Sequence, residues 1–147
     1  MTSCASARLR RVRARRRMPG LVTVIVALGV LSGCGTGADR AQVRAVTVRF
    51  FSALDADSGV AACMQLSPAL QKTVMQQESA RGCAEAVGKV KARGSPVEAV
   101  QVYATSARVD LAGGESLFLS AMRDGWRIDA LGCRPRSSGP FECEEQG

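Results

Sequence analysis

The sequence predicts an α+β fold in which a helical layer comes first and an antiparallel four-stranded meander follows. From Asp39 to Arg93 apolar residues recur at helical spacing, and from Val97 to Leu131 they alternate with polar ones at strand spacing. Between the two lies the breaker Gly94-Ser95-Pro96, which marks a change of layer within one domain.

The first helix starts at Asp39, a suitable N-cap, and carries Val43, Val46, Phe50 and Leu54, joined by Thr47 and Phe51, on one face. Arg40, Arg44 and Arg49 take the other faces, and Asp55-Ala56-Asp57-Ser58-Gly59 ends the helix. The Phe50-Phe51 pair reads as a core anchor, because aromatic side chains dominate core burial. Ser58 introduces a short helix from Val60 to Leu66. Ser67-Pro68 then supplies an N-cap and first helical position for a third, Ala69 to Glu78, with Leu70, Val74 and Met75 inward. A fourth, Ser79 to Arg93, carries Cys83, Val87 and Val90 and is weakened by Gly82 and Gly88. Lys89, Lys91 and Arg93 read as its solvated basic end.

Val97 to Ala104 forms the first strand. Ala107, Val109 and Leu111 alternate with Arg108 and Asp110 in the second, and Gly113-Gly114 turns the chain. Leu117, Leu119 and Ala121 alternate with Ser116, Phe118 and Ser120 in the third. Asp124-Gly125 signals a hairpin. The last strand sets Trp126, Ile128 and Ala130 on one face and Arg127, Asp129 and Leu131 on the other. Hairpin-length links between consecutive strands give a meander with one face packed on the helices.

Ahead of this body, seven arginines from Arg8 to Arg17 precede the apolar run Leu21 to Leu31, which ends in Leu31-Ser32-Gly33-Cys34. These are the three parts of an export signal. The run spans about 16 Å as a helix, short of the ~30 Å hydrocarbon layer. It resembles a bacterial lipoprotein signal peptide, Leu31, Ser32, Gly33 and Cys34 matching the lipobox position by position. The resemblance implies cleavage before Cys34, a diacylglyceryl group on the Cys34 sulfur, and a cell-membrane location, lipid-anchored, on the extracytoplasmic face. Arg15-Arg16-Arg17 also resembles a twin-arginine signal, but Met18-Pro19-Gly20-Leu21 departs from its usual continuation, leaving Sec and twin-arginine export both open. The chain then divides into a signal (1–33), a small-residue lipidated tether (34–38), the folded domain (39–131) and a C-terminal tail (132–147).

This division changes what composition means. The formal charge is +7, but seven of the 20 basic residues belong to the signal, leaving 13 Lys+Arg against 13 Asp+Glu from Cys34 onward. A neutral body lacks the basic footprint of a nucleic-acid binder. Histidine is absent, which removes Ser-His-Asp and Cys-His catalysis and the commonest zinc ligand. No cofactor or metal is expected. Of six cysteines, Cys4 falls in the signal and Cys34 at the lipid site, leaving Cys63, Cys83, Cys133 and Cys143. An even number in an exported chain favours disulfides. Four cysteines allow three pairings, of which Cys63 with Cys83 and Cys133 with Cys143 keep each bond within one local unit.

A long first helix, short helices and a meander closing in Asp124-Gly125-Trp126-Arg127-Ile128 resemble the curved cone fold of the nuclear-transport-factor-2-like (NTF2-like) superfamily. Trp126, Gly132, Cys133 and Cys143 are similar to the ending of small actinobacterial lipoproteins of unknown function. The superfamily spans isomerases, dehydratases and non-catalytic modules, so fold does not choose among them. The leading expectation is a non-catalytic binding module for a small apolar ligand, in a cone lined by Phe50, Val102, Phe118 and Trp126, or for an envelope protein partner. A second is a homodimer formed through an outer sheet face bearing Phe118, Met122 and Leu131. A third is an isomerase- or dehydratase-type enzyme using Tyr103 with Asp110 or Asp129.

Overall fold

The computed structural model describes residues 36–91 and 94–147, so Leu31, Ser32, Gly33, Cys34 and Arg93 lie outside the described residues. Helix α1 runs over Thr36–Asp55, α2 over Gly59–Cys63, α3 over Pro68–Gln77 and α4 over Cys83–Val87. The strands are β1 (Val97–Tyr103), β2 (Ser106–Leu111), β3 (Ser116–Met122), β4 (Gly125–Cys133) and β5 (Glu145–Gln146), antiparallel in the order β1-β2-β3-β4-β5. The fold is therefore α+β, with helices followed by an open five-stranded sheet.

α1 begins three residues before the expected cap, inside the segment that reads as tether, and Asp39 falls in its first turn. There the carboxylate complements the positive end of the helix dipole, and its Oδ1 accepts a hydrogen bond from Trp126 Nε1 at 3.3 Å. Val43, Val46, Phe50 and Phe51 are buried as the helical spacing requires. Thr47 is fully buried too, its hydroxyl satisfied by donating to the Val43 carbonyl at 3.0 Å. The helix closes through Ser58 N–H to Ala53 O and Asp57 N–H to Leu54 O, with Asp57 in the left-handed region, a Schellman ending.

At α3 the Ser67 hydroxyl accepts from the Leu70 amide at 3.0 Å and Pro68 takes the first turn, as the sequence indicates. α4 is only five residues long, where the helical pattern predicts a helix from Ser79 to Arg93. Gly82 and Gly88 bound it, and Ser79 (φ 49°) ends α3 in the left-handed region. α2 and α4 are bonded through Cys63–Cys83, Cα to Cα 6.0 Å, across 20 residues of sequence. Their approach is close: a Cβ on Gly59 would lie 2.1 Å from the Ala84 carbonyl oxygen.

β3 and β4 pair with two register shifts. Leu119 faces Ile128, Phe118 faces Ala130 and Ser116 faces Cys133, so β4 twice advances one residue more than β3. The expected alternation on β4 therefore fails at its second half. Leu131, expected outward, joins the core at 1% exposure, while Ala130, expected inward, lies opposite Phe118 and, though buried, does not pack within the core cluster. Gly132, at φ +61°, sits within the second shift. The hairpin between β3 and β4 has Arg123 and Asp124 at its tip, and Gly125 (φ +119°) opens β4.

A fifth strand replaces the expected four. The tail is bonded to the end of β4 by Cys133–Cys143, turns through the Arg134–Glu142 bridge and returns as β5 beside Ala130 and Leu131. Further along the same edge of β4, the α2–α3 linker pairs with Ile128: Ser67 N–H donates to Ile128 O, and Ile128 N–H to Gln65 O. Both segments cover backbone that would otherwise form an open edge.

Candidate functional site

The four residues expected to line a common cavity are not brought together around one. Phe50 is completely buried and Trp126 is 4% exposed, both inside the core formed with Val109, Leu117, Leu119 and Ile128. Val102 packs against the edge of that core. Phe118 stands on the opposite face of the sheet, edge-on to Phe141 of the tail with centroids 5.2 Å apart. The face of the sheet toward α1 is thus filled by side chains, which corrects the expectation of a cavity bounded by Phe50, Val102, Phe118 and Trp126.

The sheet's other face is polar and partly strapped. Phe141 covers Phe118, and the Arg108 guanidinium lies 5.5 Å from the centre of the Phe141 ring. Asp110 accepts from Ser116 Oγ at 2.8 Å and from Gln101 Nε2 and Arg108 Nη2 at 3.3 Å, and Gln101 in turn accepts from the Tyr103 hydroxyl. Asp129 accepts from Ser120 Oγ. Tyr103 and Asp110 are therefore joined by a relay across the face turned away from the core. Of the three residues behind the dimer expectation, Leu131 is in the core and Phe118 is covered by the tail. Met122 remains half-buried beside the β3–β4 hairpin.

Sequence reasoning did not anticipate a surface groove of about 490 Å³ between α1, the α2–α3 linker and the β3–β4 hairpin. Met64, Leu66, Pro68 and Met122 supply apolar wall, while Arg49 and Arg127 supply charge. Met64 is 61% exposed although large and apolar. Gln65 and Gln71 brace the linker: Gln71 Nε2 donates to the carbonyls of Cys63 and Leu66, and Gln65 Oε1 accepts from Arg49 Nε at 3.3 Å. Arg127 is neutralised by Asp124, but Arg49 makes no ion pair among the described residues. The groove, lined in equal part by polar and apolar surface, thus sets methionine side chains beside a cation able to take a carboxylate or phosphate. Arg49 is one of three arginines on the outer faces of α1 and carries no local mark of a site; its neighbours come from segments 16 and 78 residues away in sequence, Gln65 and Arg127.

Other charges are local. Arg134 pairs with Glu115 at 2.6 Å and Arg136 with Glu142 at 2.8 Å, and Arg136 holds the Glu142 carboxyl below its ordinary range. The Lys89 ammonium does the same for Glu85, helped by the Arg81 amide. Glu145 moves the other way: partial burial raises it, reinforced by the charges of Glu78 and Glu144. Among the described residues there is no group of three or more metal-ligating side chains, and no helix long and apolar enough to cross a membrane. In comparisons with known proteins, the chain matches no family model, no curated protein and no solved structure.

Proposed function

We propose that the chain is an extracytoplasmic lipoprotein, anchored by a diacylglyceryl group on Cys34, whose body is a non-catalytic binding module of the NTF2-like cone type. Its partner is an envelope protein that inserts an apolar side chain into the groove and sets an acidic group against Arg49. One observation carries this reading. Met64, 61% exposed, stands in a groove with Met122 and an Arg49 that has no carboxylate among the described residues. Flexible methionines beside a free guanidinium suit recognition of a partner surface. The tail folded across the outer sheet face and the inward Leu131 argue against the sheet-mediated homodimer. The equal basic and acidic counts from Cys34 onward argue against nucleic acid.

The test is photo-crosslinking in cells from a photoreactive residue at position 64 of the membrane-anchored chain. A discrete adduct that disappears with Arg49→Ala supports the module. Adducts insensitive to Arg49, or none, overturn it.

A further inference from the structure

One end of the body borders the groove through Asp124 and also gathers residues that do not line it. The β1–β2 and β3–β4 hairpin tips lie side by side, Ala121 N–H donating to Thr105 O at 2.8 Å. Trp126, paired with Ala121 at the start of β4, holds the first turn of α1 at the same end through Asp39. Cys34 precedes Thr36 by two residues, a contour of at most about 7 Å. Whatever is attached to Cys34 is therefore tied to the hairpin-tip end and not to the far end, where the Gly113-Gly114 turn and the disulfide-bonded tail lie.

Charge and polarity differ between these ends. At the tips Arg127 offsets Asp124, and Arg40 and Arg123, exposed and without an ion pair among the described residues, outnumber Asp39, whose hydrogen bond from the neutral Trp126 indole cancels none of its charge. Tyr103, 55% exposed, closes β1 there. At the far end Glu98, Glu115, Glu142 and Glu144 outnumber Arg134, Arg136 and Arg44, whose guanidinium donates to the Val97 carbonyl. A body neutral in total is thus polarised along its length, positive and aromatic toward the tether, negative away from it. Arg40, one helical turn into α1, lies within roughly 13 Å of Cys34 by contour, an upper limit of the same order as the ~10 Å Debye length at 0.1 M salt.

From this geometry we infer that the hairpin-tip end, through Arg40, Arg123 and Tyr103, rests on anionic lipid headgroups and orients the body on its membrane. The inference depends on the lipid anchor at Cys34. Arginines near an anionic surface attract it, and a tyrosine ring suits the boundary between headgroups and acyl chains. The far end then points away from the bilayer.

The test uses the lipidated full-length product, reconstituted in vesicles of phosphatidylglycerol mixed with phosphatidylcholine. A photoreactive residue is placed at position 103 or, for comparison, at position 113. Lipid adducts from 103 well above those from 113, reduced about 5-fold for each charge removed by Arg40→Gln and Arg123→Gln, support the contact. They also fall in pure phosphatidylcholine. Equal labelling from the two positions, with intact mass showing Cys34 acylated, overturns the contact and leaves the anchor standing. A chain of the mass expected without acylation overturns the anchor and the contact together.

Discussion

Trp126 Nε1 donates to Asp39 Oδ1 at 3.3 Å, joining the first turn of α1 to the start of β4 across 87 residues of sequence. The bond satisfies the one polar atom of a buried indole and fixes where the long helix meets the sheet. Asp39→Ala is expected to cost about 1–2 kcal/mol and Trp126→Ala about 3–5 kcal/mol in urea denaturation. The double variant should fall short of the sum by about 1 kcal/mol. Full additivity would mean that the pair is not coupled.

Gly59 permits α2 to lie against α4. Its missing side chain is a steric requirement, since a Cβ would stand 2.1 Å from the Ala84 carbonyl oxygen, and its φ is not in the left-handed region. Gly59→Ala should lower stability by about 1–3 kcal/mol despite the better helix propensity of alanine. A melting temperature equal to that of the parent chain would contradict the close packing.

Ala104 occupies the β1–β2 tip at φ 50°, a conformation that penalises a Cβ. Ala104→Gly is expected to stabilise the fold by about 1 kcal/mol, read as a higher denaturation midpoint at unchanged m-value.

Glu145 gives β5 a pH dependence opposite to that of an ordinary surface carboxylate. Burial, then Glu78 at the C-terminal cap of α3, then Glu144 beside it, raise its pKa above 4.5, so the docked strand binds a proton more readily than the free tail. Its contribution is fully present below the unfolded value and is lost as pH rises through the raised folded one. Amide exchange at Gln146, corrected for intrinsic rates, should therefore accelerate across that window, and Glu145→Gln should flatten the profile.

The tail relies on Cys133–Cys143, which closes a separation of 10 residues. Replacing both cysteines by serine should cost about 2–3 kcal/mol, free β5 from β4 and uncover Phe118 from Phe141. Faster exchange confined to residues 141–147 and β4 is the expected signature.

How much of this was legible depends on whether the determinant is local. Ser67-Pro68, the inward face of α1 and the break before β1 follow from short-range rules, and the structure agrees with them. The second half of β4 was not legible, because a bulge is a property of two strands. Nothing in Asp129-Ala130-Leu131 alone announces that Leu131 turns inward. β5 is two polar residues in a Gly- and Pro-rich tail, and only the bridge at Cys143 returns it to the sheet. The groove escaped notice for the same reason: Arg49, Met64 and Met122 meet only after three segments have packed.

Both disulfides are confined to a single layer, one among the helices and one between β4 and the tail. In a chain that emerges from its N-terminal end, Cys63 and Cys83 can be joined before any strand exists, and the second bond waits for the last few residues. Oxidation can thus proceed in two separate episodes with no thiol of the first left to mispair with those of the second. Helices and sheet are joined by side-chain packing and hydrogen bonds, those between Trp126 and Asp39 and between Ile128 and both Gln65 and Ser67 among them, with no disulfide across the junction among the described residues.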